Sequence, residues 1–176
     1  MENYKKNLHL LKENNVYSED MEHDACGVGI IASTEGKKSR KVVEYGIEAL
    51  KAVWHRGAVD ADGKTGDGAG IHVEIPKDFF IEKIEVTGHT HDNSEICVGM
   101  IFLPRNDYAA QESCKTIVES ELTKNDFSIY GWRQVPVNPK VLGEKAFQTM
   151  PEIIQVLFKP YNPELTNKDL ERKIYE

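Results

Sequence analysis

The sequence predicts an α+β fold with a largely antiparallel sheet, and three observations carry that prediction. Five short apolar runs, at 26–33, 69–75, 96–104, 127–137 and 152–160, have the length and β-branched content of strands. Two longer segments, after Ser39 and after Asn106–Asp107, repeat apolar residues at three- and four-residue steps, as helices do. The order β, α, β, β, α, β, β breaks the regular alternation that a doubly wound parallel sheet would need.

Each element has a local warrant. Residues 1–25 are polar and read as a propeptide or tail. CGVGIIAS (26–33) suits a strand covered on both faces, and Gly27 and Gly29 suggest that something packs close to its backbone. Ser39 is placed to cap a helix whose apolar face is Val42, Val43, Gly46, Ile47, Leu50 and Val53, stopping near Gly57. A glycine-rich acidic loop, HRGAVDADGKTGDGAG (55–70), leads into the strand AGIHVEI (69–75), which Pro76 ends. Residues 77–94 read as loop with a short helix at 78–84, and ICVGMIFLP (96–104) as a buried strand. Asn106 or Asp107 caps a helix to about 123, its apolar positions including Ala110, Cys114, Ile117, Val118 and Leu122. FSIYGWRQVPV (127–137), a short helix at 142–150 and EIIQVLFKP (152–160) complete the pattern.

Composition narrows the function. A chain of 176 residues with 40% hydrophobic and 29% charged content suits one soluble domain with a sizeable core. Its 22 basic and 29 acidic residues give a net charge of −7, which disfavours nucleic-acid and anionic-membrane partners. Three cysteines, Cys26, Cys97 and Cys114, form no metal-binding spacing and point to a reduced, cytoplasmic chain without a metal. No apolar run approaches the roughly 18 residues of a membrane helix, and the N-terminus lacks the core of a secretory signal.

Cys26 is the candidate nucleophile. If the chain is cut between Ala25 and Cys26, one residue carries both a thiol and a free α-amine. An α-amine titrates near ~7.7–8.0 and a thiol near ~8.5, so the neutral amine can accept the thiol proton near neutral pH. The alternative is a small buried hydrophobe at a strand start. His23 and Asp24 stand beside that bond and could assist its cleavage.

Other motifs in the sequence are decoys. Ala58-(x4)-Gly63-Lys64-Thr65 imitates a phosphate-binding loop, but a helix precedes it and a strand follows, the reverse of what the motif needs. Asp60, Asp62 and Asp67 would repel a phosphate. A calcium loop fails because Lys64 stands at the third ligand position and no glutamate at the twelfth. His89, His91 and Asp92 lack a further ligand at a usual spacing and read as solvated loop. Arg56, followed by Gly57, is either a cation at a helix C-terminus or a guanidinium fixed near nucleophile and substrate. Trp132–Arg133 admits the same pair of readings, a buried aromatic with an exposed arginine or a site-supporting pair.

Four segments, HDACGVGII (23–31), LKAVWHRGAVDADGKTGDGAGI (50–71), YGWRQVPVNPKVLG (130–143) and PEIIQVLF (151–158), together resemble the class II glutamine amidotransferases. The resemblance is strongest to the glutaminase domain of glutamate synthase large subunits. It implies an N-terminal-nucleophile hydrolase, a four-layer αββα sandwich with antiparallel sheets. It also implies removal of residues 1–25, and Cys26 attacking the side-chain amide of glutamine. A glutamyl thioester then forms, ammonia is released and water regenerates the thiol. Arg56, Gly57, Trp132 and Arg133 become substrate-binding or site-supporting residues by the same resemblance. In the family, ammonia reaches 2-oxoglutarate on a synthase domain or subunit that uses FMN and an iron–sulfur cluster. The family's oxyanion-hole Asn-Gly pair, and the Arg and Asp that grip the substrate, lie downstream of the WRQVPV segment and have no match here. Residues 26–176 are therefore expected to be the truncated N-terminal part of such a domain, with LERKIYE starting a further helix. A non-catalytic module that binds a synthase subunit is a competing reading. Another is an amidotransferase making purine precursors, glucosamine phosphate or asparagine, though the GAVDADGKTGDGAG loop favours glutamate synthase.

Overall fold

A computed structural model describes residues 2–13, 27–54, 57–165 and 167–175. The chain divides into two compact units, residues 1–56 and 57–176. The first contains helix α1 (Glu2–Glu13) and helix α2 (Arg40–Ala52). Ser39 caps α2 as its sequence position predicts, its hydroxyl accepting from the Lys41 N–H at 3.2 Å. The apolar stripe Val42, Val43, Gly46, Ile47 and Leu50 is half-buried, while Val53, just past the helix end, is exposed.

The second unit is built on a three-stranded sheet of order β1 (Cys97–Leu103), β3 (Glu152–Pro160), β2 (Phe127–Gln134). Both outer strands pair antiparallel to β3, in registers running from Cys97↔Phe158 to Leu103↔Glu152 and from Phe127↔Pro160 to Gln134↔Ile154. β1 and β2 therefore run parallel to each other, joined by helix α4 (Tyr108–Lys124), with β3 inserted between them. Paired on both edges, β3 is the most buried of the three strands, with Ile154 to Phe158 all buried.

Helix α3 (Lys77–Val86) covers one face, where Phe80, Ile84, Ile96, Tyr130 and Leu157 form a core cluster. α4 and helix α6 (Asn167–Tyr175) cover the other, around Cys97, Phe127, Val156, Phe158 and Leu170. β2 carries a bulge between Ile129 and Gly131. Gly131 takes φ +147°, and a Cβ there would lie 2.9 Å from Thr87 Cγ2 at the end of α3, so this crossing requires glycine.

The mixed, antiparallel architecture agrees with the α+β expectation, and several local expectations need correction. Residues 27–33 and 69–75 form no strand. Val28 and Ile30 are 92% and 87% exposed, and nothing lies within 4 Å of a Cβ placed on Gly27 or Gly29. An apolar run becomes a strand only when another strand supplies hydrogen bonds, and these two find none among the described residues. α3 agrees with the short helix expected at 78–84 and extends it to ten residues, Phe80 and Ile84 burying themselves on the sheet. On α4 the buried residue is Gln111, not Ile117, which is 62% exposed. Gln111 donates through Nε2 to the Pro104 carbonyl at 2.7 Å, which removes the cost of its burial. β2 ends at Gln134 rather than 137, followed by the single Val135 N–H to Ile153 carbonyl bond.

Candidate active site

Ala25, Cys26 and Arg56, with His23 and Asp24, lie outside the described residues. Gly57, Trp132 and Arg133 can be placed, each in its own setting.

Trp132 and Arg133 are neighbours on β2, so their side chains leave opposite faces of the sheet. Trp132 packs against the α4-side core, and its indole N–H donates to Glu119 Oε1 on α4 at 2.6 Å. Arg133 is half-buried on the other face, not freely exposed. Its Nη1 donates to Gln155 Oε1 at 2.5 Å, and its guanidinium stands 5.2 Å from the centre of the Phe79 ring. Gln155 is the cross-strand partner of Arg133 and is itself buried at 8% exposure. The structure thus fixes both residues and sends them to different layers.

Gly57 begins a hairpin whose own groups satisfy one another. Val59 pairs with Gly66, the Asp60 N–H donates to the Thr65 carbonyl at 2.7 Å, and the Ala58 N–H donates to Asp67 Oδ2 at 2.9 Å. At its tip, Asp62 accepts from the Lys64 N–H at 2.9 Å, the Thr65 N–H at 2.7 Å and the Thr65 hydroxyl at 2.5 Å. The Thr65 hydroxyl, then the Thr65 and Lys64 amides, hold the Asp62 carboxyl well below the usual carboxylate range.

The tip docks on helix α5 (Glu144–Thr149), whose N-cap Gly143 has no side chain to offer. Asp62 Oδ2 lies against Gly143, Thr65 Oγ1 accepts from the Ala146 N–H at 3.5 Å, and Lys145 Nζ meets Asp60 Oδ2 at 2.6 Å. A Cβ on Gly143 would run into Asp62 Oδ2, Thr65 Oγ1 and the Thr65 backbone nitrogen. The hairpin therefore supplies in trans the cap that α5 lacks.

This geometry disposes of the two decoys on physical grounds. The three aspartates are already occupied by the hairpin's own donors and by Lys145. His89, His91 and Asp92 gather around Tyr130, with His91 Nε2 against the Ser94 carbonyl and Asp92 paired with Lys159. Among the described residues no three His, Cys, Asp or Glu side chains converge as metal ligands. Two open clefts, of about 440 Å³ beside Arg105 and Met150 and about 520 Å³ beside His72 and Cys97, are lined by none of Gly57, Trp132 or Arg133.

Sequence reasoning missed Asp62, Thr65, Gly143 and Gln155. An Asp three residues before a Thr in a glycine-rich turn is a detectable side-chain-to-backbone motif. A lone Gln inside IIQVLF also signals a buried polar partner.

Comparison with known proteins identifies the chain's kinship. The profile of the class-II glutamine amidotransferases matches residues 26–176. The chain is 56% identical over 154 residues to the NADPH glutamate synthase large chain of Azospirillum brasilense, covering 88% of this chain and 10% of that one. It is 39% identical over 168 residues to the chloroplastic ferredoxin-dependent glutamate synthase 2 of Arabidopsis thaliana, covering 94% and 10%. The NADH glutamate synthase of Saccharomyces cerevisiae is 33% identical over 192 residues, covering 99% and 9%. The chain thus spans about a tenth of the length of these relatives. By the extent of that match, this chain belongs to the class II glutamine amidotransferases.

Proposed function

We propose that this chain is glutamine-hydrolysing sequence of a glutamate synthase, with residues 1–25 a propeptide and Cys26 the nucleophile. The observation that carries the reading is the 56% identity to a glutamate synthase large chain over most of this sequence. The family match begins at residue 26, which supports Cys26 as the first residue of the mature domain. The proposed fold of that domain is the four-layer αββα sandwich of N-terminal-nucleophile hydrolases, and the layered antiparallel sheet of residues 57–176 is compatible with it.

In the proposed reaction the free α-amine of Cys26 takes the thiol proton, and the thiolate adds to the side-chain carbonyl carbon of glutamine. The tetrahedral adduct expels ammonia, protonated by the same amine, and leaves a γ-glutamyl thioester. Water, deprotonated by the amine, cleaves the thioester to glutamate and restores the thiol. Arg56, Gly57, Trp132 and Arg133 bind glutamine or support the site. The partner is a synthase domain or subunit that combines the ammonia with 2-oxoglutarate. The FMN and iron–sulfur cluster expected of a full-length glutamate synthase are proposed to belong to that partner. The proposed location is the cytoplasm; no described helix is long and apolar enough to cross a membrane.

The test is made on the full natural protein. A glutamine-analogue diazo-ketone should label Cys26, and the mature mass should start there. Cys26→Ser and Cys26→Ala should abolish labelling and lower glutamine hydrolysis by at least about 10³-fold. Undiminished turnover in either variant overturns the reading.

A further inference from the structure

Beyond Gly57, the acidic hairpin has no part in the chemistry just described, yet it is densely bonded. Its bonds form a continuous brace. At one end Asp62 and Thr65 sit on Gly143 and the first turn of α5, and Asp60 is paired with Lys145 beside them. At the other end Asp67 holds Ala58 through both backbone and side chain: Ala58 N–H to Asp67 Oδ2 at 2.9 Å, and Asp67 N–H to the Ala58 carbonyl at 3.3 Å. Ala58 follows Gly57 directly, and Gly57 follows Arg56. The bonds at the two ends of the hairpin therefore restrict the backbone that leads out of Gly57.

We propose that Asp62 is a positioning residue for glutamine: by clamping the 57–67 hairpin to Gly143 and α5, it fixes the backbone that begins at Gly57. The inference rests on the reading that Gly57 supports substrate binding. A cation site is a poorer account of the same residues, because each aspartate oxygen named above already has a donor from this chain. Simple loop stability is a poorer account too. The hairpin could close through Val59–Gly66 and the Asp60–Thr65 bond alone, whereas Asp62 and Thr65 reach some eighty positions along the sequence to α5.

The experiment measures glutamine hydrolysis and diazo-ketone labelling of Cys26 in the full natural protein, comparing wild type with Asp62→Ala, Asp62→Asn, Thr65→Ala and Thr65→Ser. Misplacing a substrate-holding backbone weakens ground state and transition state alike, so KM should rise about tenfold while kcat changes less than about twofold. Loss of folded enzyme would do the opposite, lowering apparent kcat and leaving KM alone. Thr65→Ser, which keeps the hydroxyl, should restore wild-type KM where Thr65→Ala does not. If Asp62→Ala does not fold, Asp62→Asn carries the comparison, since it keeps an oxygen acceptor and loses the charge. A KM within twofold of wild type in folded Asp62 variants overturns the proposal and leaves the glutaminase reading standing. Failure of wild type to hydrolyse glutamine or to be labelled at Cys26 overturns both.

Discussion

Arg133 and Gln155 show how a single pair sets the energetics of β2. A guanidinium half-buried over Phe79 finds its hydrogen-bond acceptor in a buried amide oxygen. Replacing Gln155 by Leu removes that acceptor while leaving the charge. Urea unfolding should show a loss of about 2 kcal/mol, the scale of a hydrogen bond to a charged group. Adding Arg133→Met should recover most of that loss, because both polar partners are then gone. Equal losses in the single and double variants would show that the bond contributes nothing. The pair was only half legible in the sequence. Trp132–Arg133 stood out, but the partner twenty-two positions away did not, since register is not written in either strand alone.

At the scale of elements, the crossing of α3 over β2 depends on one backbone position. Gly131 sits at the bulge with φ +147°, against Thr87 at the end of α3. Gly131→Ala adds a methyl group into that contact and holds an L-residue in a region it rarely adopts. The expected cost is about 1–3 kcal/mol in urea unfolding. An unchanged midpoint would mean that the bulge relaxes freely. Capping was the most legible element-scale feature: Ser39 and Asp107 cap α2 and α4 as the sequence predicts. α5 was different, because its cap arrives from the 57–67 hairpin and no local pattern announces it.

The whole molecule should be most stable over a broad neutral plateau. Asp62 and Asp92 are both held well below the usual carboxylate range, Asp62 by Thr65 and Asp92 by Lys159 and Ser94. A carboxylate depressed in the folded state contributes fully above its unfolded pKa, and that contribution is lost as pH falls through the folded value. On the alkaline side the signs reverse. Burial pushes the Cys97 thiol up to about 12, helped by the charge of Glu95, and burial pushes the Tyr130 phenol up to about 12, helped by Asp92. Their contributions are complete below the ordinary thiol and phenol ranges and are lost as pH rises toward 12. Urea midpoints measured across pH should therefore fall at both ends. Asp92→Asn should flatten the acid limb, and Cys97→Ala should flatten the alkaline one. Limbs unchanged in these variants would remove the linkage argument.

Sequence by itself determined what is local: helix periodicity, the caps of α2 and α4, the strand character of IIQVLF, and four ordered segments specific enough to indicate the family before any fold was known. Tertiary structure decided what depends on distant partners. It gave β3 the centre of the sheet, put Gln111 rather than Ile117 inside, left 27–33 and 69–75 without strand pairing, and turned an acidic loop into a brace on α5. The physical reason is range. Propensity and capping act within one or two turns of chain, whereas a strand needs a partner's backbone, and the Asp60–Lys145 pair closes across 85 residues that no local pattern can measure.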